Sequence, residues 1–320
     1  MIKNLPEIKA LRNLSHVADP EIVRFQELTR INIKHRSYPI ISFEIGCTEL
    51  DAPVLGLFGG VHGLERVGTH VITSYLQSLF KQMKWDDDLR TLLKTSRIVS
   101  IPLINPGGMA KRWRSNPNGV DLMRNAPVEA EKKNLPFLLS GHQYSNKIPW
   151  YRGNPNKMET ESQILIDYVK EKVFPAATAL TVDFHSGFGL KDRFWYPYAK
   201  TTDQFPNIKE VQSLKDLMDE TLPHHIYKVE PQSLNYTTHG DIWDYLYDDH
   251  RLHKKSDQLF LPWTLEMGSW NWVKKNPKQI FSASGLFNPI IEHRHDRTMR
   301  RHKALIDFLF SATRNSHWRN

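Results

Sequence analysis

Unbroken apolar runs alternating with helical stripes constrain this chain more than any other feature. Val54-Leu55-Gly56-Leu57-Phe58 is one such run, closed by Gly59-Gly60. After it Val67, Val71, Ile72, Tyr75, Leu76, Leu79, Phe80 and Met83 recur at helical spacing. Ile98 to Ile104 repeats the strand pattern and stops at Asn105-Pro106-Gly107-Gly108. Residues 160–173 read as a helix, and 179–184 and 259–265 as strands, with Pro262 awkward for a central one. Strands alternating with helices call for a mostly parallel sheet covered on both faces. The expected fold is therefore α/β: one domain over 1–320, a mostly parallel mixed β-sheet flanked by helices on both faces. There is no internal repeat, low-complexity tract or linker. Residues 1–34 are expected as an N-terminal extension packing on that domain.

Composition narrows the partners. Hydrophobic residues make up 40% and charged residues 24%, the balance of a globular chain. No apolar run is long enough to span a bilayer, so no membrane partner is expected. The opening Met1-Ile2-Lys3-Asn4-Leu5-Pro6-Glu7 lacks an apolar signal core, and Cys47 is the single cysteine. Both features lead to an expectation of a cytoplasmic, disulfide-free protein. The net charge of +8 raises the question of nucleic acid. The densest basic run, 292–303, leads into Leu305, Ile306, Phe308, Leu309 and Phe310, and reads as the solvated face of a C-terminal helix. With no nucleic-acid motif beside it, nucleic acid is not an expected partner. Drawing small anionic substrates towards a cleft is the better use of the charge.

Chemistry concentrates in four stretches: Gly60-Val61-His62-Gly63-Leu64-Glu65, Gly119-Val120-Asp121-Leu122-Met123-Arg124-Asn125, Asp183-Phe184-His185-Ser186, and Leu265-Glu266. The first and third hold two imidazoles and a carboxylate, a donor set that suits Zn²⁺ with a fourth position open. His62 follows a strand, His185 ends another and Glu266 ends a third. Open α/β sheets bind ligands just beyond the carboxyl ends of their strands, so three independent candidates fall at one rim. A carboxylate closing so apolar a run as 259–265 is desolvated, which raises its pKa into the range of a general base. Asp183, two residues before His185, faces the same side of its strand.

Taken in order, the four stretches resemble the zinc carboxypeptidases, the M14-type metallopeptidases, over roughly residues 35 to 310. Tyr151-Arg152-Gly153 followed by Glu159-Thr160-Glu161-Ser162 is similar to a stretch of bacterial members that trim cell-wall peptides. The resemblance implies an α/β/α sandwich and one Zn²⁺ ion held by His62, Glu65 and His185. Glu266 matches the general base that activates the water, and Arg114 the arginine that polarises the scissile carbonyl. Arg124 matches the arginine that grips the substrate carboxylate, with Asn125 beside it. Asp121 matches the carboxylate that orients the first histidine, and Tyr245 the mobile tyrosine that closes over substrate. One position departs: Met123 stands where the family has Asn, so the substrate carboxylate loses a donor.

The implied reaction is zinc-dependent hydrolysis of an amide bond next to a free carboxylate, on a peptide or acylated amino acid. Two alternatives stay open: an N-acyl amino-acid deacylase of the aspartoacylase or desuccinylase type, and a catalytically silent peptide-binding relative. Deacylases of that kind generally carry a β-rich region after the last motif, where this chain shows a helical pattern. The charged segment Asp248-Asp249-His250-Arg251-Leu252-His253-Lys254-Lys255 is expected to line the substrate side-chain pocket and favour acidic or polar substrate ends.

Overall fold

The structure is a computed structural model, and it describes residues 5–131, 139–154 and 156–319. An eight-stranded sheet is built from β1 (Val23–Ile33), β2 (Arg36–Gly46), β3 (Val54–Gly59), β4 (Arg97–Ile101), β5 (Thr178–Ser186), β6 (Arg193–Tyr196), β7 (Lys228–Pro231) and β8 (Leu259–Met267). Their spatial order is β1-β2-β4-β3-β5-β8-β6-β7. The central strands β4, β3, β5 and β8 run parallel, and β6 pairs parallel with β7. The contacts β1–β2, β2–β4 and β6–β8 are antiparallel, so the sheet is mixed and mostly parallel.

The helices are α1 (Pro6–Val17), α2 (Arg66–Gln82), α3 (Asp87–Leu93), α4 (Pro106–Lys111), α5 (Thr160–Lys172), α6 (Ile208–Thr221), α7 (Ile242–His253), α8 (Trp270–Lys275), α9 (Ala283–Phe287) and α10 (Glu292–Arg314). Strand alternation assigns them to faces. Phe58 packs edge-on against Tyr168 of α5 and tilted against Trp243 of α7. The next residue, Gly59, turns its Cα towards Ile72 of α2. So α5 and α7 cover one face, while α2, with α1 and α10 packed on it, covers the other. Every residue of β3, β4, β5 and β8 is buried, the reason those strands read as continuous apolar runs.

Three expectations change. Of the expected 1–34 extension, the described residues 5–34 are built into the sheet and core rather than laid on a finished domain. β1 is an edge strand of the sheet, and α1 buries Leu11 and Leu14 in the common core. Its sequence hid this because one face of β1 is solvated and a bulge between Glu27 and Thr29 interrupts its alternation. Pro262 does sit in a central strand. It pairs with Thr181 of β5, but β6 joins β8 only at Thr264–Glu266, so no neighbour on that side requires its missing N–H. The basic run of α10 is solvated only in part: His293, Arg297 and Arg300 are exposed, Arg294, His295, Arg301 and Lys303 are half-buried, and His302 is buried. Among the described residues no helix is long and apolar enough to cross a membrane.

Candidate metal centre and active site

The centre of the sheet makes the site. β3 and β5 are neighbours, yet the chain leaves β3 for β4 on one side and returns to β5 on the other, so a crevice opens between their carboxyl ends. His62 and Glu65 lie in the turn from β3 to α2, closed by Glu65 N–H donating to the His62 carbonyl at 3.0 Å. Gly60 lets the chain turn there: its φ of +65° and the 2.7 Å from a would-be Cβ to Thr69 Oγ1 admit no side chain. His185 closes β5, and its register partner on β8 is Glu266.

Three side chains converge. His62 Nδ1 is 2.9 Å from Glu65 Oε1, His185 Nδ1 is 3.1 Å from Glu65 Oε2, and the two imidazole Nδ1 atoms are 3.2 Å apart. All three donor groups lie within 4.8 Å of one another and are buried. The far nitrogen of each ring meets a carboxylate: His62 Nε2 at 3.0 Å from Asp121 Oδ1, and His185 Nε2 at 2.9 Å from Asp183 Oδ2. A proton held at Nε2 leaves each Nδ1 lone pair aimed inward. Two buried lone pairs facing each other at that distance, with a carboxylate between, call for a cation at the centre, and the set fits Zn²⁺. The same anionic surroundings draw protons when no ion competes for the Nδ1 lone pairs. Burial opposes charge on His185, but Asp183 and Glu65 outweigh it and hold its pKa well above the ordinary value. Burial likewise opposes ionisation of Glu65, yet the charge of His62 and the hydrogen bond from His185 hold it well below the usual range.

Around this cluster runs a guanidinium layer. Arg114 donates from Nη1 to Glu65 Oε1 at 3.0 Å and from Nε to Asp121 Oδ2 at 3.1 Å. Arg124 donates from Nη1 to the same Asp121 oxygen at 2.9 Å and from Nε to the Leu139 carbonyl at 3.1 Å. Arg124 also borders a narrow cavity of about 30 Å³. His62, His185, Glu266, Arg114, Met123, Arg124, Tyr236 and Asp241 all line that cavity. Glu266 accepts from Phe188 N–H at 3.0 Å, and burial together with the charge of Glu65 pushes its pKa up to about 8. A broader cleft of about 880 Å³ adjoins, sharing Arg114 and walled by Asp121, Trp113, Ile148 and Trp150.

Two named residues stand elsewhere. Tyr245 lies in the body of α7, its hydroxyl 3.5 Å from Lys170 Nζ, and does not line the cavity. The tyrosine at the cavity is Tyr236, in the loop before the α7 cap Asp241. Its hydroxyl is raised by burial and lies within the fields of Arg124, Glu266, Arg114 and Asp121. Asp241 opening a helix was a readable cap signal: it confines Tyr245 to a helix and leaves Tyr236 in the loop. Asn125 does not line the cavity either. Its amide donates to the Arg152 carbonyl at 2.8 Å and accepts from Glu159 N–H at 2.7 Å, so both ends are occupied in bracing loops. Arg152 itself donates to the Arg124 and Val128 carbonyls, which makes the 151–162 stretch a brace behind Arg124.

The charged segment 248–255 is far from this site. It belongs to the end of α7 and the loop after it, and lines a cavity with Asp51, Phe174 and Gln258. Those residues precede β3, β8 and β5, at the amino ends of the strands, whereas the metal donors stand at the carboxyl ends. Asp183 was seen in the sequence only as a residue on the same face as His185. The structure adds its contact to the ligand and a hydrogen bond from Trp243 Nε1 at 3.0 Å.

Comparison with known proteins agrees with this geometry. The family model for zinc carboxypeptidase, peptidase M14, matches residues 21–271. Carboxypeptidase D of Mus musculus is 30% identical over 208 residues, covering 56% of this chain and 15% of its own length. The chain therefore corresponds to a small part of that relative. In fold, bovine thrombin-activatable fibrinolysis inhibitor in complex with tick carboxypeptidase inhibitor superposes with a TM-score of 0.68 at 14% identity, over 98% of this chain and 97% of that one. Carboxypeptidase A from Helicoverpa armigera gives 0.61 at 19% identity, over 95% and 74%. With the family model spanning most of the sequence and the paired histidines and glutamate converging as that family's zinc requires, this chain belongs to the M14 zinc carboxypeptidases.

Proposed function

We propose that this protein is a zinc-dependent carboxypeptidase-type peptidase that removes residues from peptides with a free C-terminal carboxylate. One observation carries the reading: both histidines of the His62–Glu65–His185 donor set, the desolvated Glu266 and Arg124 line one cavity. Zinc, when bound by the three donors, supplies Lewis acidity towards water and the scissile carbonyl. Glu266 takes the proton from the attacking water and later passes it to the leaving amine, a role its raised pKa suits. Arg114 presents its guanidinium to the developing oxyanion. The Arg124 guanidinium receives the terminal carboxylate, with Tyr236 beside it. The apolar cleft beyond Arg114 accommodates the peptide on the acyl side of the scissile bond.

A silent binding protein has no use for a desolvated carboxylate beside the metal donors, so hydrolysis is the better reading. The test is a panel of one peptide with free and amidated C-termini, together with N-acyl amino acids. The free-acid peptide is expected to be cleaved, the amide to resist, and a zinc chelator to stop turnover. Preferential turnover of the N-acyl amino acids would move the assignment to the deacylases.

A further inference from the structure

A second pair of imidazoles meets where α10 packs on α2. His70 Nδ1 and His295 Nε2 are 3.2 Å apart, the same separation as the two Nδ1 atoms of His62 and His185. The rings are edge to face with centroids 5.3 Å apart, against 4.9 Å in the catalytic pair. The likeness extends outward. His70 Nε2 lies 3.0 Å from Glu7 Oε1, and His295 Nδ1 lies 3.7 Å from Asp296 Oδ1. Glu7 is 3% exposed and is held by Arg66, which donates to it from Nε at 2.7 Å and Nη2 at 2.6 Å.

That arrangement sets the protonation chemistry. A carboxylate at Nε2 keeps the proton of neutral His70 on that nitrogen and leaves the Nδ1 lone pair facing His295. Burial and the neighbouring His70 push the His295 imidazole down, which favours its uncharged, ligating form. Two nitrogens each about 2.0–2.1 Å from a tetrahedral ion stand roughly 3.3 Å apart, the spacing seen here. Both side chains are 35% exposed, which leaves the remaining coordination positions to water.

We propose that His70 and His295 form a second, solvent-open site for a divalent transition ion such as Zn²⁺, Cu²⁺ or Ni²⁺. An ion there joins residues 225 positions apart and ties α10 to α2. Through Glu7 it also engages α1, so binding favours the folded chain. Glu7 acts as a positioning residue, fixing the His70 tautomer. The site is separate from the catalytic donors and does not depend on the peptidase reading.

Equilibrium dialysis of the full chain against Zn²⁺, with metal content measured per chain, tests this. The wild type is expected to take up two equivalents, and His295→Ala and His70→Gln one each. Zn²⁺ beyond the first equivalent should raise the melting temperature of the wild type and not of His295→Ala. His295→Ala should keep wild-type peptide hydrolysis at one equivalent. Glu7→Gln should weaken the second site by about tenfold or more. His62→Ala should lose the other equivalent and keep this one. Uptake of a single equivalent by the wild type, or of two by both His295→Ala and His70→Gln, would overturn the proposal.

Discussion

Glu266 stands in register with His185 on the adjacent strand and is 8% exposed, and burial, with the like charge of Glu65 added, raises its pKa to about 8. Its contribution is separable from metal binding because it is not one of the three converging donors. Glu266→Gln is therefore expected to retain zinc at the His62–Glu65–His185 donors while kcat falls by roughly 10²–10⁴, the usual worth of a general base. Metal analysis alongside a peptide assay distinguishes this from loss of the site. Met123 lines the same cavity and offers no donor to a carboxylate. Met123→Asn restores one. A hydrogen bond to a charged group is worth about 1.5–3 kcal/mol, so KM for free-acid peptides should fall at least about tenfold. No such gain is expected for the amidated control. Steady-state kinetics on the pair of substrates decides it.

At the scale of elements, the site depends on how closely α2 approaches β5. Glu65 caps α2 and His185 ends β5, so the spacing of these elements sets the spacing of two donors. Gly68 is the point of contact. A Cβ there would fall 2.2 Å from the Phe184 carbonyl oxygen, next in sequence to His185. Backbone cannot yield as a side chain can, so Gly68→Ala must push the helix away. The expected cost is about 1–3 kcal/mol of stability, with weaker zinc binding, read by thermal melts with and without metal. Much of this level was legible in the sequence. β3, β5 and β8 are buried on both faces, so their apolar runs had a single interpretation. β1 was not legible, because its exposed face carries polar residues and an edge strand needs no continuous apolar run. β6 and β7 have four residues each, too few for a period to show. Tyr236 escaped for a related reason: loop residues carry no periodicity, and only the cap at Asp241 marks where the loop ends.

For the whole molecule, α1 is tied on by a buried ion pair whose strength depends on pH. Burial disfavours charge on Glu7, but hydrogen bonds from His70 and Arg66 overcome it and hold the pKa at about 2, below the ordinary 4.5. A depressed folded-state pKa contributes stability that is complete above the unfolded value and disappears as pH falls through the folded one. The advantage of the wild type over Glu7→Gln in chemical denaturation should thus be full above about pH 4.5 and shrink steadily towards pH 2. An advantage that grew on acidification would show that the pair does not hold α1.

Local patterns determined the class of fold and the chemical identity of the catalytic donors, because burial on two faces and the types of ligand a metal accepts are both written residue by residue. Tertiary structure decided which carboxylate backs which histidine, which tyrosine reaches the cavity, and that β1 completes the sheet. Each of those depends on distances across strands that are neighbours in space and far apart along the chain. Local periodicity holds no record of such distances.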